Sequence, residues 1–258
     1  MKRRKLAGVA GVSAAFVIMA LLAMAMYFTS ARKKEPVATI VEKKVEAEIV
    51  KKPALPLHIV KWFPFSEKDS LKEWEEKIFK GRVLYKVEKS GDLSYVRARS
   101  DAAASALYYR IKLDARNNKP ALTWKWRVDK FPEKKAPESL ETEKEDDFAA
   151  RVYVIFPAAF ITNYKVLEYV WAEKLPVGTT GTSPYSKNIK LMVLRSGLAA
   201  DGVWSLEERD IVADYKRMFG TSPEKDIGAV AFMTNTEHTG TSAEATYDEI
   251  RLGYIDRK

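Results

Sequence analysis

The chain has no cysteine and only two histidines, His58 and His238, in 258 residues. The first absence excludes disulfides, thiolate catalysis, iron–sulfur clusters and cysteine-based zinc sites, and leaves the compartment open. The second leaves no room for a histidine-based triad or a multi-histidine metal site. His58 reads as a structural residue where the domain starts, and His238 as a solvent-exposed residue in the loop Thr234–Thr241. A phosphate-cradling P-loop, a nucleophile elbow and an H-E-x-x-H helix are also missing. No acidic residue precedes Glu35. Seven of the 44 basic residues do (Lys2, Arg3, Arg4, Lys5, Arg32, Lys33, Lys34) and none of the 35 acidic ones, so the formal +9 falls to +2 over the rest. A globular part so near neutrality argues against broad phosphate-backbone binding, and no nucleic-acid partner is expected.

What is present begins with a long apolar run. Leu6–Phe28 carries no charge, and at about 1.5 Å per residue it reaches across a hydrocarbon core of roughly 30 Å. Lys2–Lys5 precede it, so the positive-inside rule puts the N-terminus in the cytoplasm and the remainder outside, although Lys33 and Lys34 pull the other way. Ala23-Met24-Ala25 and Thr29-Ser30-Ala31 match the small-x-small pattern of a cleavage site. The run exceeds the roughly 7–15 residues of a signal-peptide core, which favours an uncleaved anchor over a removed signal. The sequence therefore predicts a membrane anchor over residues 1–31, with the lipid bilayer as partner through Leu6–Phe28. It also predicts a single-pass protein of a bacterial inner membrane whose domain lies in the periplasm or outside. Residues 32–56, rich in Lys, Glu and Val with Pro36, Pro53 and Pro56, read as a charged linker.

Residues 57–258 read as one domain dominated by strands. Nine runs qualify: Arg82–Glu88, Leu93–Ser100, Ser105–Leu113, Ala121–Val128, Phe148–Phe156, Val166–Trp171, Ile189–Ser196, Ile227–Thr234 and Ala245–Ile255. In the fourth, Leu122, Trp124, Trp126 and Val128 point one way and Thr123, Lys125 and Arg127 the other. Turn signals at Ser90-Gly91-Asp92, Asn117-Asn118-Lys119-Pro120 and Ala200-Asp201-Gly202 separate the runs. Two short helices are expected. One covers Leu71–Phe79 behind a Ser70/Glu73 capping box and ends at Gly81, and the other covers Ile211–Phe219 and stops at Gly220. Residues 130–145, charged and broken by Pro132 and Pro137, read as a mobile surface loop. The fold class is all-β, a jelly-roll-like β-sandwich preceded by one transmembrane helix.

Three charged clusters stand out. If Phe148, Val152 and Val154 face the core, Arg151 and Tyr153 face away, as do Arg127 on its strand and Tyr108 and Arg110 on theirs. Guanidinium forks and aromatic planes suit carboxylates and sugar rings, while an ordinary solvated sheet face has the same composition. Trp204 through Asp214 is dense in Glu, Arg and Asp. It offers acids for glycoside cleavage, or merely helix caps and surface pairs. Met233 through Gly240 is oxygen-rich. It could hold a structural calcium ion with the acids of 143–147 or with Asp248, or serve as a plain strand connection. No other cofactor is expected.

Trp124-Lys125-Trp126-Arg127-Val128, Asp146 through Tyr153, Tyr169-Val170-Trp171, Arg195-Ser196-Gly197, Trp204 through Tyr215, Phe219-Gly220 and Phe232 through Gly240 fall in order along the chain. Together they resemble a bacterial family known as domain of unknown function family 3047. In that family the last block reads closer to Met-Thr-Asp-x-Asp-Asn-Thr. Here Asn235, Glu237 and His238 stand at the two acidic positions and the Asn, which weakens a metal role. The resemblance implies an exported β-sandwich similar to galactose-binding-like and carbohydrate-binding modules, and supplies no activity.

The leading expectation is a non-catalytic module for a glycan or other envelope component. The alternatives are a scaffold that docks an envelope protein, and a glycan hydrolase using Glu208, Asp210 or Asp214. The expected site is one pocket shared by Arg127, Arg151 and Arg209, with Asp147 and Asp214 as counter-ions and Trp171 or Tyr153 at its wall. Its rival is a closed Arg–Asp network that ties loops to the sheet and binds nothing.

Overall fold

In a computed structural model of the protein, residues 55–67, 69–157, 164–199 and 203–256 are described. The segment Leu6–Phe28 and most of the linker lie outside the described residues, among which no helix is long and apolar enough to cross a membrane. Thirteen strands are described: β1 (Leu57–Phe63), β2 (Glu75–Lys80), β3 (Leu84–Ser90), β4 (Leu93–Asp101), β5 (Ala104–Leu113), β6 (Pro120–Lys130), β7 (Ala150–Phe156), β8 (Lys165–Ala172), β9 (Thr180–Thr182), β10 (Ile189–Ser196), β11 (Ser205–Asp210), β12 (Ile227–Asn235) and β13 (Ser242–Ile255). They form two sheets. The first runs β11-β6-β13-β4-β3 with β1 added along β13, and the second runs β2-β5-β12-β7-β8-β10-β9. Only β8 and β10 pair in parallel.

All nine predicted runs are strands, and the all-β sandwich follows from their alternation. Leu122, Trp124, Trp126 and Val128 are buried between the sheets as predicted. Trp124 packs on Tyr169 at 5.5 Å and Trp126 on Trp171 at 5.6 Å across the gap. Val152 and Val154 join this core. The long β13 changes neighbour at Glu249, whose φ of 52° breaks the ladder. Before that bulge it pairs with β4, and after it with β1. A Cβ on Gly253 would lie 2.0 Å from the His58 carbonyl oxygen, so glycine is what lets β1 approach.

Four of the strands, β1, β2, β9 and β11, are not legible as alternating runs. The helix expected over Leu71–Phe79 is instead a single 3-10 turn, Ser70–Glu73, followed by β2. The Ser70 hydroxyl bonds Glu67 rather than capping a helix. Pairing of Glu75–Lys80 with β5 overrides the local helical signal. The second expected helix, α1 (Ile211–Phe219), forms as read. Asp210 caps its start by accepting from the Ala213 N–H at 3.0 Å, and Gly220 ends it at φ 73°.

The segment 130–145 is not a free surface loop. With residues 173–188 it covers the outer face of the second sheet. Leu140 and Phe148 pack there with Tyr153, Val170, Leu191 and Met233, so Phe148 belongs to this outer cluster and not to the inner core. Lys134 and Glu138 pair at 3.0 Å with side chains only 3% exposed. Glu138 also accepts the backbone N–H groups of Glu173, Lys174 and Leu175, which joins the two covering segments. Mutual neutralisation lets these charges be buried, and sequence composition alone does not show that.

Candidate functional site

Arg151 and Tyr153 project from β7 onto the outer face of the second sheet, as alternation requires, and the cover buries both. The Arg151 guanidinium is 2% exposed. It donates to Glu168 at 2.8 Å and to Tyr153 at 3.4 Å, pairs with Asp146 at 3.0 Å, and lies 4.8 Å above the Phe148 ring. One cation thus serves two buried carboxyls. Burial pushes both upward, Glu168 to about 7, against the pull of Arg151. This is the closed network, not a pocket.

Asp147 is fully buried. It accepts from the backbone N–H of His238 at 3.1 Å and of Thr239 at 2.6 Å, and from the Asn235 amide at 2.8 Å. It therefore staples the loop after β12 to the chain entering β7. Asp147, Glu237 and His238 bring one ligand atom each within 4.8 Å of one another. His238 is held by Tyr185, whose hydroxyl is 2.7 Å from its Nε2, and by Glu237 at 3.4 Å. Glu237 raises the imidazole pKa, and burial raises that of Glu237. The expected meeting of this loop with the acids at 146–147 does occur, but the donors do not fit calcium. The Asn235 amide nitrogen sits among Asp146 O, Asp147 Oδ1 and Glu237 Oε2 at 2.9, 2.8 and 2.9 Å, in the place a cation would take. Asp248 is elsewhere, on the other sheet.

Arg209, Asp214 and Trp171 lie toward the β11 edge of the sandwich. Asp214 takes two hydrogen bonds from Arg209, at 2.8 and 2.5 Å, and one from the Tyr169 hydroxyl at 2.7 Å. Trp171 donates to the Gly197 carbonyl. Glu207 holds Trp126 at 3.1 Å and Arg195 at 2.6 Å. Glu208 accepts from the Leu55 N–H, and Asp210 caps α1. Each acid offered for glycoside cleavage is already occupied by a structural partner.

Arg127 faces the other way, onto the outer face of the first sheet. It pairs with Asp129 at 2.6 Å and lies 5.4 Å from the Trp204 ring, which meets Tyr95 edge-on at 5.5 Å. Arg97 beside it reaches Glu88, Asp129 and Glu244. Lys86, Arg97, Arg99, Lys125, Arg127 and Glu244 are exposed or half-buried, so this face meets solvent. Trp204 touches β4 through Tyr95 and β6 through Arg127, and therefore bridges β13 between them. On β13 itself Thr246, in register with Arg97 and Arg127, and Asp248, in register with Lys125, are buried. Thr246 Oγ1 and Asp248 Oδ1 have no hydrogen-bond partner among the described residues. Burial pushes the Asp248 carboxyl up to about 7. Sequence reasoning passed over Tyr95 and Thr246 and read Trp204 only as the start of a charged cluster; Tyr95 alternating with Arg97 and Arg99 was the available signal.

The single pocket is thereby corrected. Arg127 and Arg151 lie on opposite outer faces of the sandwich, with Arg209 at the β11 edge. Packed sheets stand about 10 Å apart before either outer face is reached, so strand alternation fixed each direction without fixing which sheet a strand joins.

The protein belongs to the family described as protein of unknown function (DUF3047), whose model matches residues 72–251. No curated protein matches the chain. Among solved structures it is similar to a family 11 carbohydrate-binding module of a cellulosomal cellulase of Clostridium thermocellum, at 9% identity and TM-score 0.38 over 72% of this chain and 90% of that one. A family 28 module specific for non-crystalline cellulose gives 9% identity and TM-score 0.39 over 79% and 96%. A family 61 module in complex with β-1,4-galactotriose gives 11% identity and TM-score 0.36 over 71% and 90%. Likenesses at this level do not carry a ligand over.

Proposed function

We propose that this is a membrane-anchored, exported, non-catalytic module that binds a glycan or related envelope polymer on the outer face of the first sheet. The observation that carries the reading is the half-buried Trp204, flanked by Arg127 and Tyr95 on an open face. On the same face, β13 carries the two buried, unpaired oxygens of Thr246 and Asp248. An aromatic plane with a few convergent polar groups is the chemistry a sugar ring needs. Buried oxygens without partners are costly, so this part of the face favours a side-chain shift that lets a ligand hydroxyl reach them. Of the residues predicted for the site, Arg127 would touch the ligand. Asp147, Arg151, Tyr153, Trp171, Arg209 and Asp214 would hold the framework. The anchor rests on the uncharged run Leu6–Phe28 behind Lys2–Lys5.

The test is a glycan-array screen of the detergent-solubilised full chain beside its Trp204→Ala variant. Binding of a defined glycan class by the wild type alone is the expected result. Equal binding by both would move the site off this face.

A further inference from the structure

At the pole where β1 begins, the turn after β5, one side of α1 with the turn that follows it, and the end of β13 enclose an open cleft of about 900 Å³. Its lining divides by chemistry. Pro56, Ala115, Val212 and Tyr254 give an apolar part, while Arg116, Lys119 and Lys216 face a single acid, Asp256. The turn is preorganised. Asp114 accepts the backbone N–H groups of Arg116 at 2.9 Å and Asn117 at 3.0 Å, and these bonds hold its carboxyl below the usual range. Its own N–H donates to the Tyr254 hydroxyl at 2.9 Å. Arg116 is engaged by Asp226 at 3.0 Å. Lys119 and Lys216 make no ion pair or side-chain hydrogen bond among the described residues. Two uncommitted ammonium groups beside an apolar wall suit an amphiphile with an anionic head.

The position of the cleft selects the occupant. Pro56 is part of the wall, so the 54 residues before the described chain leave from this spot. Residues 29–54 separate the domain from the uncharged run. So short a stretch reaches at most about 90 Å at full extension, which confines this pole to the neighbourhood of the bilayer and raises its effective concentration there. We infer that the cleft receives the phosphate headgroup of an anionic phospholipid of the anchoring membrane and docks this pole of the sandwich onto the bilayer. The inference rests on the anchor reading above and is independent of glycan binding.

The full chain would be reconstituted into nanodiscs of phosphatidylcholine alone and of phosphatidylcholine with phosphatidylglycerol at 7:3. Hydrogen exchange would then be followed at residues 115–119 and 212–223. The expected result is at least threefold slower exchange there with phosphatidylglycerol, lost in K119E/K216E and reduced in 0.5 M salt, while exchange in β6 and β12 stays unchanged. If the charge reversal fails to fold, K119Q/K216Q replaces it with the same expectation. A retained chain that exchanges equally in both discs overturns the headgroup site and leaves the anchor standing. A chain that stays with neither disc removes the anchor and this inference with it. Equal protection by free glycerol phosphate in neutral discs would assign the cleft to a soluble anion and overturn the docking.

Discussion

On the outer face of the second sheet, Arg151 meets Asp146, Glu168 and Tyr153 beneath a cover built from two long connections. On the outer face of the first sheet, Arg127 meets Asp129 and Trp204 with its side chain still 17% exposed. The side-chain chemistry is similar and the setting is opposite. Where the cover excludes water, each charge requires its partner, and the group acts as a structural tie. Where water remains, a pair contributes little to stability and its groups can turn to a ligand.

The largest effect should therefore come from the covered face. Arg151→Ala leaves Asp146 and Glu168 buried without a cation and should cost about 3–5 kcal/mol. Denaturant unfolding would measure this, and a loss below about 1 kcal/mol would mean that water reaches the network. Trp126→Ala sets the scale for the core between the faces. It removes a fully buried indole and the donor to Glu207, for a further expected cost of about 3–5 kcal/mol.

How much of this contrast was legible in sequence depends on the kind of information needed. Alternation named the core partners Trp124, Trp126, Val152 and Val154, and it turned Arg127, Arg151 and Tyr153 outward, all correctly. Capping chemistry placed α1 from Ile211 to Phe219. The same local logic failed at Leu71–Phe79, where non-local pairing with β5 decides the structure. It also failed at 130–145, where Lys134 and Glu138 neutralise each other four residues apart and are buried together. Long-range topology was the missing quantity. No spacing along the chain reveals that β6 and β7 belong to different sheets, and that fact separates Arg127 from Arg151.

A smaller effect should appear in the pH dependence, with the same sign on both faces. The folded Asp248 carboxyl keeps its proton up to about pH 7, whereas an unfolded aspartate loses it near pH 3.9. Between these values the folded state binds more protons, so stability falls as the pH rises from about 4 to 7. Glu168 has the same sign. Asp248→Asn removes one share of this loss. The variant should match the wild type at pH 4 and gain on it by on the order of 1–3 kcal/mol at pH 8. Melting curves across that range that stay parallel for both proteins would show that Asp248 is already ionised in the fold.

The smallest change in stability belongs to Arg127→Ala, and it is the sharpest test of the contrast. Arg127 pairs with Asp129 at the surface, and such pairs contribute about 0–1 kcal/mol. Asp129 keeps Arg97 as a second partner at 3.3 Å, so its charge is not stranded. Removing the guanidinium should therefore leave unfolding within about 1 kcal/mol of the wild type, while weakening the affinity for any glycan held against Trp204 by about tenfold or more, the loss of one charge-assisted hydrogen bond. Arg151→Ala shows the reverse balance, with the fold lost first. If Arg127→Ala unfolds as readily as Arg151→Ala, the outer face of the first sheet is as closed as that of the second. The distinction between an available surface and a sealed one would then fail at the residue chosen to show it.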